Sequence, residues 1–178
     1  MSEKKLVIMR GLPWTGKSFT AKEVLEKADS EGRILSTDDY WYEINKPDKP
    51  DEYSFNHRLL GKAHGWNQQR SFRLIEEGFP LIIIDNTNTT YREFSVYVEY
   101  AVPQNYKVLV QEPTSDRWQE IVSLLANTRA NKKELKSWAK TLEEGSKETH
   151  NVPAWAIEKM MWRWEPTEDI EFQIREIN

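Results

Sequence analysis

Eight consecutive residues, Gly11-Leu12-Pro13-Trp14-Thr15-Gly16-Lys17-Ser18, have the spacing of a loop that wraps a phosphate. Glycines at its two ends let successive backbone N–H groups converge on one anion, a lysine in the seventh place reaches terminal phosphates, and the hydroxyl after it is a ligand for Mg²⁺. The loop follows the apolar run Leu6-Val7-Ile8-Met9, and the helix expected from Lys17 points the positive end of its dipole at the same anion. The nucleotide-binding segment comprises Gly11, Leu12, Pro13, Trp14, Thr15, Gly16, Lys17, Ser18 and Phe19, and the implied cofactors are ATP and Mg²⁺.

Carboxylates supply the complementary chemistry. Asp85 closes the run Leu81-Ile82-Ile83-Ile84 and resembles the Walker B carboxylate, which supports Mg²⁺ directly or through water; its alternative role is to cap a turn. Asp38, after the short apolar pair Ile34-Leu35, is the expected base, because phosphoryl transfer to an alcohol needs a group that accepts the hydroxyl proton and little other covalent help. The alternative is a solvated acidic pair at a strand end. Neighbouring side chains in an extended segment point oppositely, so Asp38 rather than Asp39 is assigned. Thr87 and Asn88, just beyond Asp85, are expected on the substrate side, with Asn88 alternatively fixing the turn. Trp41, between Tyr40 and Tyr42, is placed to stack an acceptor base or to pack under the next loop. Arg129, with Lys132 and Lys133, is expected to form a cationic lid over the triphosphate; a solvated charge run is the alternative.

For these groups to meet, the chain must bring several strand ends to one edge, as an open parallel sheet does. Apolar strands separated by helical segments fit that layout: Leu6–Met9, a helix over 17–27, a short strand at Ile34-Leu35, a loop over 40–53, a long helix from about 54–56 to Gly78, and the strand Leu81–Ile84. A capping box at Thr90-Tyr91-Arg92-Glu93 opens a helix to Tyr100, a fourth strand spans Tyr106–Val110, and another helix runs from Arg117 to about Ala130. Residues 131–149 read as solvated and mobile, Pro153 opens a helix through Trp164, and the alternation of Ile170, Phe172 and Ile174 reads as an edge strand. The expectation is a three-layer α/β fold with a parallel central sheet and a helical lid over about 129–152, in one domain covering 1–178.

Composition narrows the chemistry. With 178 residues and 38% hydrophobic content the chain can bury one sizeable core. It has no cysteine, and His57, His64 and His150 lack metal-binding spacing, which argues against a zinc enzyme. No stretch approaches the roughly 20 apolar residues of a membrane span, and no signal-peptide core is evident, so a cytoplasmic or nuclear location is expected. A net charge of −4 is the wrong sign for gripping long nucleic acid, so any such substrate is held at an end.

Taken in order, Arg10-Gly11-Leu12-Pro13 through Lys17-Ser18, Ser36-Thr37-Asp38-Asp39-Tyr40, Ile83-Ile84-Asp85-Asn86-Thr87-Asn88-Thr89, Gln111-Glu112-Pro113-Thr114 through Trp118, and His150-Asn151-Val152-Pro153 resemble the polynucleotide 5′-hydroxyl kinase group of P-loop kinases. Likeness is strongest to the kinase-like domains of the NEDD-four-binding-protein family, where Ala63-His64-Gly65-Trp66-Asn67-Gln68 is also similar. The resemblance implies a P-loop kinase fold, ATP-Mg²⁺ on Lys17 and Ser18, Asp38 as general base and a lid arginine near 129. It also implies transfer to the 5′-OH end of DNA or RNA. Trp41 stands where bacteriophage polynucleotide kinase carries a phosphate-holding arginine. Two other functions suit the same residues: a kinase for a small-molecule alcohol such as a nucleoside, sugar or antibiotic, and a non-catalytic ATP-binding module.

Overall fold

Four parallel strands, β1 (Lys5–Met9), β2 (Gly32–Leu35), β3 (Leu81–Asp85) and β4 (Lys107–Gln111), form a sheet in the order β2-β3-β1-β4. The structure is a computed structural model that describes residues 3–44, 53–175 and 177. Met9 is in register with both Asp85 and Gln111, so three strands end level with one another. The segments that follow them, including the phosphate-binding loop, therefore leave from one edge.

The strands are continuously apolar because helices cover both faces. Helices are α1 (Lys17–Glu26), α2 (Asp39–Glu43), α3 (Leu60–Glu76), α4 (Tyr91–Ala101), α5 (Asp116–Leu125), α6 (Lys132–Ser146), α7 (Ala154–Trp162) and α8 (Thr167–Arg175). Val7, Met9, Leu81 and Ile83 pack against Ala21 of α1 on one face. Leu6, Ile8, Ile82 and Ile84 pack on the other face against residues of α3, α4 and α8, including Ile75, Phe94 and Ile170. A third cluster joins Leu12 of the loop to Trp118 and Ile121 of α5, Leu135, Ala139 and Leu142 of α6, and Ile157 and Met161 of α7.

Several expected elements are revised. The segment expected to be solvated and mobile contains α6, whose Leu135, Ala139 and Leu142 are buried while its lysines and glutamates cover the other face. Dense charge conceals a seam of spacing three and four. The expected edge strand in the tail is α8: Ile170 and Ile174 are buried and Phe172 is 63% exposed. Residues four apart satisfy a helical stripe as well as a strand alternation, and Glu168 and Asp169 in the first turn favour the helix. The expected loop over 40–53 begins with α2, and residues 45–52 lie outside the described residues. The long helix is entered through a 3-10 turn, His57–Leu59, capped by the Asn56 side chain accepting from the Arg58 N–H at 3.0 Å. At α4, Glu93 reaches back to the N–H of Thr89 (2.8 Å), so the capping box is displaced one residue from Thr90. The helix expected through Ala130 ends at Leu125.

Candidate active site

The loop is suspended between its neighbours. The Arg10 N–H donates to Gln111 O at 2.8 Å and the Gly11 N–H to Thr87 O at 3.1 Å. Thr15 Oγ1 donates back to Leu12 O at 2.7 Å, and Ser115 Oγ to Thr15 O at 2.6 Å, which joins the loop to the start of α5. Gly16 is the N-cap of α1 with φ 93°, a conformation glycine adopts without steric penalty. Trp14 also has a positive φ of 60° and is held in place by two neighbours. The Arg117 guanidinium lies 3.4 Å from the indole centroid and donates to Trp14 O at 2.6 Å. α6 also passes close: a Cβ added to Gly145 would stand 2.0 Å from the indole.

At the root of the loop, Lys17 Nζ is 2.5 Å from Asp85 Oδ1, and Ser18 Oγ donates to Asp85 Oδ2 at 2.6 Å. Both members of the ion pair are largely buried. A hydroxyl beside a carboxylate is an oxygen donor set that suits a hard divalent cation, so these residues fit Mg²⁺. Phe19 follows in the first turn of α1 with its side chain 66% exposed.

Asp38 is the N-cap residue of α2. Its Oδ1 accepts from the Tyr53 hydroxyl at 3.1 Å, and its Oδ2 lies 3.6 Å from His150 Nδ1. Burial, reinforced by the Asp38 charge, pushes the Tyr53 phenol well above its ordinary pKa, so it stays a donor. Asp39 is committed elsewhere: its Oδ2 accepts from the Ser36 N–H at 3.2 Å and from Arg70 Nη1 at 3.1 Å. The Thr37 N–H donates to Asn86 Oδ1 at 2.9 Å, which ties the segment holding Asp38 to the residue after Asp85.

Two expected site residues, Trp41 and Arg129, are placed elsewhere, and Asn88 takes the alternative role of fixing the turn. Trp41 has no exposed surface and packs edge-on against Tyr40 (5.2 Å) and Phe55 (5.1 Å), so it has no face to offer a base. Aromatic character alone does not separate a buried ring from a stacking platform. Arg129 is exposed in the turn after α5. Because α5 starts beside Thr15 and its 10 residues carry the chain about 15 Å away, with α6 returning to Trp14 at Gly145, Arg129 stands at the far end of this hairpin. Asn88 is 2% exposed, has φ 48°, and donates Nδ2 to Met9 O at 2.7 Å, so it fixes the turn. Thr87 contributes its carbonyl to the loop through the Gly11 bond.

Sequence reasoning passed over Arg10. Its side chain is wholly buried, with Nε on Asn88 O (2.8 Å), Nη2 on Thr89 O (2.9 Å) and Glu165 O (2.7 Å), and Nη1 on Thr167 Oγ1 (2.6 Å). Burial lowers its pKa to about 10, opposed by Glu112, Glu165 and Glu93. Arg10 thereby binds the strand edge to the C-terminal helices. Tyr53 and His150 were also passed over; the signal for His150 was its place in the His150-Asn151-Val152-Pro153 motif.

A parallel sheet covered on both faces, a phosphate-binding loop after its first strand and a carboxylate ending the neighbouring strand define a kinase-like P-loop fold. The chain belongs to the AAA domain family, whose model matches residues 6–166. It is 46% identical over 113 residues to NEDD4-binding protein 2 of Homo sapiens, covering 64% of this chain and 6% of that protein. It is 31% identical over 132 residues to YLP motif-containing protein 1 of Homo sapiens, again covering 64% of this chain and 6% of that protein. The chain thus spans a small fraction of the length of these relatives. A chain of the Pnkp1/Rnl/Hen1 RNA repair complex shares the fold, with TM-score 0.59, 16% identity, and coverage of 95% of this chain and 46% of that chain. Among the described residues no helix is long and apolar enough to cross a membrane.

Proposed function

We propose that this chain is an ATP-dependent kinase that transfers the γ-phosphoryl group to a hydroxyl, at the 5′-OH end of DNA or RNA, and that its 178 residues act as one catalytic domain in the cytoplasm or nucleus. The observation that carries this reading is the meeting of Lys17, Ser18 and Asp85 at the sheet edge where Asp38 also stands, linked through the Thr37–Asn86 bond. Loop amides and Lys17 would hold the β and γ phosphates, and Ser18 and Asp85 would hold Mg²⁺, directly or through water. Mg²⁺, when bound, supplies neutralisation of charge on the phosphates. Asp38 accepts the proton of the acceptor hydroxyl, and its contacts with Tyr53 and His150 leave it partly solvent-exposed. The engagement of Asp39 with Arg70 and Ser36 supports the choice of Asp38. With Arg129 at the far turn, Arg117 beside Trp14 is the cation nearer the loop.

The order and identity of the motif residues favour a nucleic-acid end as acceptor. The net charge of −4 supports a second reading, a small-molecule alcohol on the same site. Transfer of labelled γ-phosphate from ATP to a panel of 5′-OH oligonucleotides, nucleosides and sugars tests both. Labelling confined to oligonucleotide ends supports the first reading, and labelling confined to a small alcohol replaces it with the second.

A further inference from the structure

Each oxygen of the Asp38 carboxylate is faced by a side chain from a different, distant segment. Tyr53, ahead of the 3-10 turn, donates to Oδ1 at 3.1 Å, and His150, in the connection between α6 and α7, brings Nδ1 to 3.6 Å from Oδ2. The Tyr53 and His150 rings also contact one another, with centroids 5.0 Å apart, and Tyr42 of α2 lies 5.3 Å from Tyr53. The connection carrying His150 is anchored to the end of α6: the Asn151 N–H donates to Ser146 O at 2.7 Å and the Val152 N–H to Ser146 Oγ at 3.1 Å. Asn151 takes a left-handed φ of 47°, which turns the chain sharply at this point.

We propose that Tyr53 and His150 are positioning residues of the acceptor site, which hold the Asp38 carboxylate in the orientation that receives the acceptor's hydroxyl proton. The proposal rests on the reading of Asp38 as the base. A carboxylate beside a short helix can rotate freely, whereas a base must keep hydrogen-bond reach of one proton throughout the reaction. The bond from Tyr53 fixes Oδ1 and so fixes the carboxylate plane. Oδ2 then faces His150 across a gap longer than a hydrogen bond, and a lone pair remains for the incoming hydroxyl. In the transfer, the acceptor O–H bond breaks with its proton passing to Asp38. The acceptor oxygen bonds to the γ-phosphorus, and the bond to the β–γ bridging oxygen breaks with its electron pair leaving on ADP. Tyr53 and His150 exchange no proton in this step. Because the turn carrying His150 is tied to Ser146 at the end of α6, the helix that also packs on Trp14, the base and the phosphate loop are braced by one element.

The test uses the full chain with labelled ATP and a 5′-OH oligonucleotide. Tyr53→Phe and His150→Asn are each expected to lower kcat about ten- to a hundredfold, the scale of a displaced reacting group, with KM for ATP unchanged. In the Asp38→Asn background neither should lower kcat further, because both act through that carboxylate. Losses that add in full to that of Asp38→Asn, or normal kcat in both single variants, overturn the proposal. No transfer by the wild type to any acceptor would instead sink the kinase reading itself. A measurement independent of activity checks the geometry: Asp38→Asn and Tyr53→Phe should each shift the His150 ring resonances in NMR spectra and leave those of His57 in place. A His150 signal indifferent to both substitutions contradicts the arrangement.

Discussion

Lys17 Nζ lies 2.5 Å from Asp85 Oδ1, so the cation of the phosphate loop is neutralised by the carboxylate that ends the neighbouring strand β3. The pair joins the two halves of the proposed nucleotide site, where a bound nucleotide would compete with Asp85 for this ammonium. Removing the lysine would leave a buried carboxylate without its counter-charge, with only the Ser18 hydroxyl donating to it. Lys17→Ala is therefore expected to lower stability by about 3 kcal/mol in urea titrations without nucleotide, and to abolish stabilisation by ATP and Mg²⁺. A Lys17→Ala protein as stable as wild type, or one still stabilised by ATP, would contradict this account of the pair.

The phenol of Tyr53 gives a pH dependence whose sign follows from its surroundings. Burial and the Asp38 charge raise its pKa above the ordinary 10.0, so above that pH the folded state retains a proton that the unfolded state releases. Its contribution to stability is full below about pH 10 and is lost as pH rises further. Arg10, with its pKa lowered to about 10, acts in the opposite direction over the same range. Comparison with a Tyr53→Phe variant isolates the tyrosine: between about pH 10 and 11 the wild type should lose stability faster than the variant. Parallel pH profiles would contradict the Tyr53–Asp38 bond.

Gly145 is required by the indole beneath it. Gly145→Ala places a methyl 2.0 Å from the Trp14 ring, so Trp14 or α6 must move, at a cost of about 1–3 kcal/mol. In a Trp14→Ala background the same substitution should be close to neutral. A double-mutant cycle by urea denaturation measures the coupling, and purely additive effects would remove Trp14 as the cause.

Trp41 is a core residue, and Trp41→Ala should cost about 3–5 kcal/mol of stability from the cavity it leaves. Thermal and chemical unfolding report this directly. A variant of unchanged stability with a raised KM for the acceptor would restore Trp41 as a substrate contact.

The parallel sheet and the phosphate loop were legible because their signals are local. Four-residue apolar runs mark strands covered on both faces, and the spacing from Gly11 to Ser18 encodes the loop. The placement of Asp85 and Asp38 at one sheet edge was legible because strand ends converge there. Side chains whose partners lie far along the chain were less visible. The buried seam of α3 is Ala63, Asn67, Ser71 and Ile75, at an even spacing of four, and two of the four are polar; Asn67 donates to the Tyr97 hydroxyl at 3.2 Å. Trp41 and Tyr53 are both aromatic residues near Asp38 in sequence, and only tertiary packing turns one into core and the other into a partner of the carboxylate. Likewise α6 looked solvated because its charges outnumber the few apolar residues that hold it down.

In the proposed function, Asp38 accepts a proton during phosphoryl transfer from ATP held by Lys17, Ser18 and Asp85. The most direct measurement is single-turnover transfer of labelled γ-phosphate to a 5′-OH oligonucleotide by wild type, Asp38→Asn and Asp39→Asn, with ATP affinity measured alongside. Transfer by the wild type is expected, with a chemical rate lowered about 10²–10⁴-fold in Asp38→Asn at preserved ATP affinity, and a much smaller loss in Asp39→Asn. A normal rate in Asp38→Asn with a collapsed rate in Asp39→Asn would contradict it.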